Sequence, residues 1–294
     1  MIRKGPQLQM ARSRAAQVLQ DYGLDRLPVD PIALAQTCDI LVEPKPPQYD
    51  GFSGMLARVG ESFGILYATY VPSLGFQRFS VAHELGHYFL DGHVDQLLGR
   101  GPHVSKANFT SSDPYELEAD TFAAALLMPE ALFKLELSKR DEGLATVLAL
   151  ADLCQTSATA TAVNYAQHTR AAVAVVQSTD GIVDFCVLSE AMKDGAVGWI
   201  KRGDPIPMRG ATRSIASNRS RVDAGARDLA DVRLNTWFER ATALPLQEEA
   251  VGLGRYGKVL TVLHCERLSM ASDGFDDEEE SEDELIERWT PKFK

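Results

Sequence analysis

Residues 83–87 read HELGH inside the longer run FSVAHELGHYFLDGH, and this run does most to limit what the chain can fold into. Histidines at i and i+4 project from one face of an α-helix, where two imidazoles can grip one ion. A helix is therefore expected over 76–92, with Ser80 near its start and Asp91-Gly92 as its stop. Phe79, Val81, Ala82, Leu85, Tyr88, Phe89 and Leu90 make that helix mostly apolar. The bland alternative is a pair of exposed histidines with a salt-bridged glutamate. The apolar surroundings count against it, because a charged group carried into a buried setting needs a partner such as a metal.

A catalytic zinc takes three protein ligands, so His83 and His87 need a third. His93 has the spacing of the pattern HExxHxxGxxH, in which a glycine turns the chain back towards the metal. That position holds Leu90 here, and Gly92 comes too late for the usual turn. The rival is Glu116 in YELEAD, which stands one helical turn before Asp120 and on the same side. Such a pair offers a carboxylate ligand and a second carboxylate that orients a zinc histidine through its other nitrogen. Glu116 is preferred, and His93 stays as the less favoured third ligand. Glu118 points elsewhere on that helix and is expected to be solvated or paired. One Zn2+ per chain is expected. Glu84 is not needed as a ligand: zinc lowers the pKa of a bound water to about 7, and a carboxylate alongside can take the proton as that water attacks a peptide carbonyl.

FSVAHELGHYFLDGH and ELEADTFAAALLMP, in that order and preceded by a hairpin and Arg78, resemble the ImmA/IrrE family of metallo-endopeptidases over about residues 10–135. The resemblance implies that His83, His87 and Glu116 bind zinc and that Glu84 is catalytic. Asp120 falls where the family has Asn or Asp. The characterised relatives are bacterial proteins that cleave helix-turn-helix transcriptional repressors, or promote their removal, in stress responses or the induction of a mobile element. A similar regulatory peptidase is implied here, taking an extended substrate segment as an added strand along the hairpin, at 51–60. Tyr88, His103 and Arg78 are the polar groups considered for the developing oxyanion. The alternative is a metal-containing regulator that senses or sequesters a repressor without hydrolysis; Glu84 argues against it, since a pure binding site has no use for a base.

The expected fold class is α+β. A zincin-like peptidase domain over 1–135 contains helices at 9–22 and 32–37, a hairpin from 51–60 and 62–71, the HExxH helix, and a helix over 115–133 carrying Glu116. A helix-turn-helix-like segment follows over 136–170, then a β-rich α+β sensor or docking domain over 171–270 with one helical stretch near 229–240. Elsewhere in the family a GAF-like domain occupies the corresponding place, though no motif here establishes one. The helix pair at 144–169 contains no lysine and only Arg170 lies just beyond it, which argues against DNA binding because phosphate neutralisation dominates affinity for DNA. No basic patch with interleaved aromatics suggests any nucleic-acid surface.

Ten acids and no base fall in 273–287, leaving the rest at a net −1 against −11 for the whole chain. Such a run is expected to be a disordered tail over 271–294, with Trp289 and Phe293 near its end available to dock. Cys38, Cys154, Cys186 and Cys265 never form a CxxC pair and are expected to be free thiols. No apolar run of membrane-spanning length and no signal-like start is seen, so a cytoplasmic protein is expected.

Overall fold

The computed structural model describes residues 5–45, 52–98, 101–105, 113–195 and 197–272. The acidic run 273–287 and the aromatic end beyond it lie outside the described residues. The chain divides into two compact units. Among the described residues, the first runs to Phe133 and takes in Asp152–Ser157, and the second holds Lys134–Ala151 and everything from Ala158 onward. Among them, no helix is long and apolar enough to cross a membrane.

The first unit opens with helix α1 (Leu8–Asp21), which buries Ala11, Ala15 and Val18 on one stripe. Gly23, at φ 63°, ends it: the Gly23 and Leu24 N–H groups donate to the Gln20 and Leu19 carbonyls at 3.2 and 2.8 Å. Helix α2 (Pro31–Thr37) starts on Pro31, with the Asp30 side chain accepting from the Ile32 and Ala33 amides. Strands β1 (Leu41–Lys45), β2 (Gly54–Val59), β3 (Ser62–Ala68) and β4 (His103–Ser105) form one sheet in the order β1-β3-β2-β4. The expected hairpin is present, as β2 and β3 pair antiparallel around Gly60 and Glu61. The expected docking edge differs: β4 covers β2 along Gly54–Leu56, so β4 is the outer strand at that point.

Helix α3 (Leu74–Phe89) starts earlier than expected, because Ser73 rather than Ser80 accepts from the Phe76 amide. Ser80 lies inside the helix and donates to the Phe76 carbonyl at 3.0 Å. After α4 (His93–Leu98), helix α5 (Pro114–Leu127) is capped by Asp113, which accepts from the Tyr115 amide at 2.9 Å. The single helix expected over 115–133 is in fact two. Pro129 has no amide hydrogen to continue the ladder, so α5 stops at Leu127 and α6 (Glu130–Leu137) starts afresh. Leu56, Ile65, Val81, Leu85, Phe122 and Leu126 join the buried face of α1 in one apolar core.

The two helices expected at 144–169 are α7 (Leu144–Cys154), which belongs to the second unit as far as Ala151, and α8 (Ala158–His168), which lies within it. They are followed by β5 (Val173–Thr179), β6 (Ile182–Leu188), α9 (Glu190–Asp194), α10 (Ala211–Ala216), α11 (Arg219–Asp223), β7 (Arg227–Arg233), α12 (Leu234–Trp237), β8 (Pro245–Gly252), β9 (Lys258–His264) and α13 (Glu266–Ser272). The five strands form an antiparallel sheet in the order β6-β5-β9-β8-β7. The helix expected near 229–240 is strand β7 as far as Arg233, with only a single turn, α12, behind it. Among the described residues, β7 ends the sheet and its side chains alternate between exposed and half-buried, a period of two that scattered apolar residues disguised.

Candidate metal centre

The centre forms where α3 crosses α5, and two small residues set the distance. A Cβ built on Gly86 would lie 3.0 Å from the Ala119 Cα and 3.1 Å from its carbonyl oxygen, so any side chain here would require the facing helix to give by a few tenths of an ångström. Ala119 itself is fully buried. The close crossing brings Glu116 and Asp120, one turn apart around Ala119, against the two histidines of α3.

The side chains converge tightly. His83 and His87 are buried, with their Nε2 atoms 3.0 Å apart. Glu116 reaches both, its Oε2 3.4 Å from His83 Nε2 and its Oε1 3.3 Å from His87 Nε2. One ligand atom from each of His83, His87 and Glu116 falls within 4.8 Å of the others, close enough to hold a single metal ion. On the far side of the first ring, His83 Nδ1 lies 2.8 Å from Asp120 Oδ1, the orientation that leaves Nε2 facing the other ligands.

Charge in this cluster is arranged around one positive group. Burial works against a charged His83, yet its contacts with Asp120 and Glu116 outweigh burial and hold its pKa up at about 10. Burial takes His87 the other way, down to about 3. Burial also opposes ionisation of Glu116, but contacts with His103, His83 and His87 win and hold it far below the usual carboxylate range. Asp120 is pushed up by burial.

Glu84 is the exception in the cluster. It is completely buried, and among the described residues neither of its oxygens has a partner at full hydrogen-bond geometry, although the Ser105 hydroxyl stands near enough to lower its pKa. Burial lifts its pKa to about 7 although His83 nearby pulls it down. Gly54, at the start of β2, makes the room, since a Cβ there would stand 2.5 Å from Glu84 Oε1.

The other residues weighed from sequence fall in different places. His93 does not join the ligand atoms: it lies behind His87, ring nitrogen to ring nitrogen, with Nδ1 3.0 Å from His87 Nδ1. The chain turns at Gly92 into α4 and brings the His93 ring to the back of His87 rather than to its Nε2. Glu118 is paired rather than solvated, with Oε2 2.9 Å from His93 Nε2. Arg78 is buried away from the cluster, donating to the Val29 carbonyl and 4.0 Å from Asp30. Tyr88 packs edge-on against Phe63 and Phe89. Of the three groups considered for the oxyanion, His103 is the one at the centre, its Nε2 2.8 Å from Glu116 Oε1 and its ring edge-on to His87. The closeness of Gly54 to Glu84 had no signal in the sequence, because it depends on where β2 passes over α3.

Residues 59–164, which include both histidines, Glu84, Glu116 and Asp120, match the family model for the IrrE N-terminal-like domain, Peptidase_M78. The chain carries an IrrE N-terminal-like domain. Beyond this domain the fold likeness reaches further along the chain. A transcriptional regulator from Mycobacterium tuberculosis superposes with a TM-score of 0.54 over 90% of this chain and 80% of its own, at 12% identity. At that identity the likeness is one of fold. No curated protein matches the chain. The α+β domain with its His83, His87 and Glu116 cluster is consistent with the peptidase family that the IrrE N-terminal-like domain represents.

Proposed function

We propose that this chain is a zinc-dependent endopeptidase whose IrrE N-terminal-like domain has a zincin-like core, with His83, His87 and Glu116 holding the ion, Asp120 orienting His83 and Glu84 acting as general base. The observation that carries the reading is Glu84: a fully buried carboxylate whose oxygens meet no partner at full hydrogen-bond geometry among the described residues, beside three convergent side chains able to hold a metal. Two imidazole nitrogens and one carboxylate oxygen are a donor set of catalytic zinc sites, which leave a position open. When bound, zinc would supply Lewis acidity to a peptide carbonyl and a lowered pKa to the attacking water.

The chain's own residues divide the remaining work. Glu84, with its pKa near 7, is poised to accept a proton at neutral pH and to return it to the leaving amine. His103 stands on the rim of the centre with its Nε2 on Glu116 Oε1, and it would have to turn from that carboxylate to stabilise negative charge on the substrate oxygen, for which it is the candidate. The outer side of β4 offers backbone groups to an extended peptide, which would enter as a further strand beside the centre. The family resemblance supports a helix-turn-helix transcriptional repressor as the substrate.

The test is intact-mass analysis of a candidate repressor after incubation with the zinc-loaded protein and with its Glu84→Gln variant. Two fragments that sum to the repressor plus one water, absent with the variant, are the expected result. An intact repressor retained in a complex by both proteins would instead favour a metal-containing binding regulator.

A further inference from the structure

A buried chain of polar groups runs away from the centre behind His87. His87 Nδ1 lies 3.0 Å from His93 Nδ1, His93 Nε2 lies 2.9 Å from Glu118 Oε2, and Glu118 Oε1 accepts from the Gln7 backbone amide at 2.7 Å. His87, His93 and Glu118 are all completely buried. We propose that His93 and Glu118 are positioning residues that fix the tautomer of His87 and so present its Nε2 lone pair to the metal.

The polarity follows from what each atom can do. With Glu118 taken as a carboxylate that only accepts, as its contact with the Gln7 amide requires of Oε1, His93 Nε2 carries the hydrogen that points at it. A neutral His93 then has a bare Nδ1, which can only accept, and His87 Nδ1 must donate to it. The hydrogen of His87 is thereby placed on Nδ1, and Nε2, the nitrogen facing His83 and Glu116, is left free. His83 would reach the same state once a metal displaced the proton on its Nε2, because its Nδ1 donates directly to Asp120, so the two residues use two different devices. The Gln7 contact anchors the far end of the chain at the residue that precedes α1. The inference rests on the metal-centre reading for its consequence but not for its tautomers.

Two measurements test it together. Long-range 15N–1H correlation spectra of the full chain, metal-free and zinc-loaded, are expected to show His87 protonated on Nδ1 and His93 on Nε2 in both states. Competition with a zinc chelator is expected to give an affinity about 10- to 100-fold lower for His93→Phe. His93→Gln, whose amide oxygen and NH2 can stand at the two ring-nitrogen positions, is expected to restore most of that loss. A His93 protonated on Nδ1 in the wild type, or unchanged zinc affinity in His93→Phe, would overturn the proposal. A wild type that binds no zinc but shows the expected tautomers would uphold the hydrogen-bond chain and sink the metal centre instead.

Discussion

Glu84 is a group whose charge the surroundings oppose. Its pKa is raised on folding from 4.5 to about 7, so the folded chain binds this proton more tightly than the unfolded one. Stability from the protonated carboxyl is therefore present at low pH and is lost as pH rises from 4.5 through about 7. In metal-free protein, Glu84→Gln is expected to raise stability by about 3 kcal/mol at pH 8 and to change it little near pH 4.5. Urea unfolding of both proteins at the two pH values, with chelator present, checks this; the same effect at both would contradict it. In zinc-loaded protein the same variant is expected to keep the metal and lose about 10²- to 10⁴-fold in hydrolysis. At this scale the grouping of His83, His87 and Glu116 was legible in the spacing of two motifs. The place of His93 was not, because spacing does not say which side of His87 the returning chain meets.

The crossing of α3 and α5 is the contact on which the centre depends. Gly86→Ala would place a methyl group against the Ala119 backbone and force the helices apart. An expected loss of about 1–3 kcal/mol in thermal or urea unfolding, together with weaker zinc binding, distinguishes this from a surface change. Full retention of zinc affinity would mean that the ligands tolerate a wider crossing. Elements marked by strong local chemistry were readable: α1 by its alanine stripe and Gly23, α2 by Asp30 and Pro31, the hairpin by alternation around Gly60. Those shaped by neighbours were not. Among the described residues β7 is an edge strand with little apolar content, and the end of α5 is hidden in the sequence because the apolar run continues across Pro129.

Across the whole molecule, the residues proposed to bind metal all belong to the first unit. Ligand that binds only the folded state stabilises it by about 4 kcal/mol at a thousandfold excess over Kd. Zinc is therefore expected to slow hydrogen exchange in α3, α4 and α5, leaving the five-stranded sheet of the second unit near its metal-free rates. Equal slowing in both units would point to a second binding site. Most residues of α7 and α8 cluster with the sheet that follows them. The most direct test of the metal centre is a zinc-edge anomalous difference map from crystals of the zinc-loaded protein. A single peak about 2.0–2.2 Å from His83 Nε2, His87 Nε2 and a Glu116 oxygen, with His93 outside its coordination sphere, is the predicted result. A peak coordinated by His93 in place of Glu116, or no peak at these residues, would contradict it.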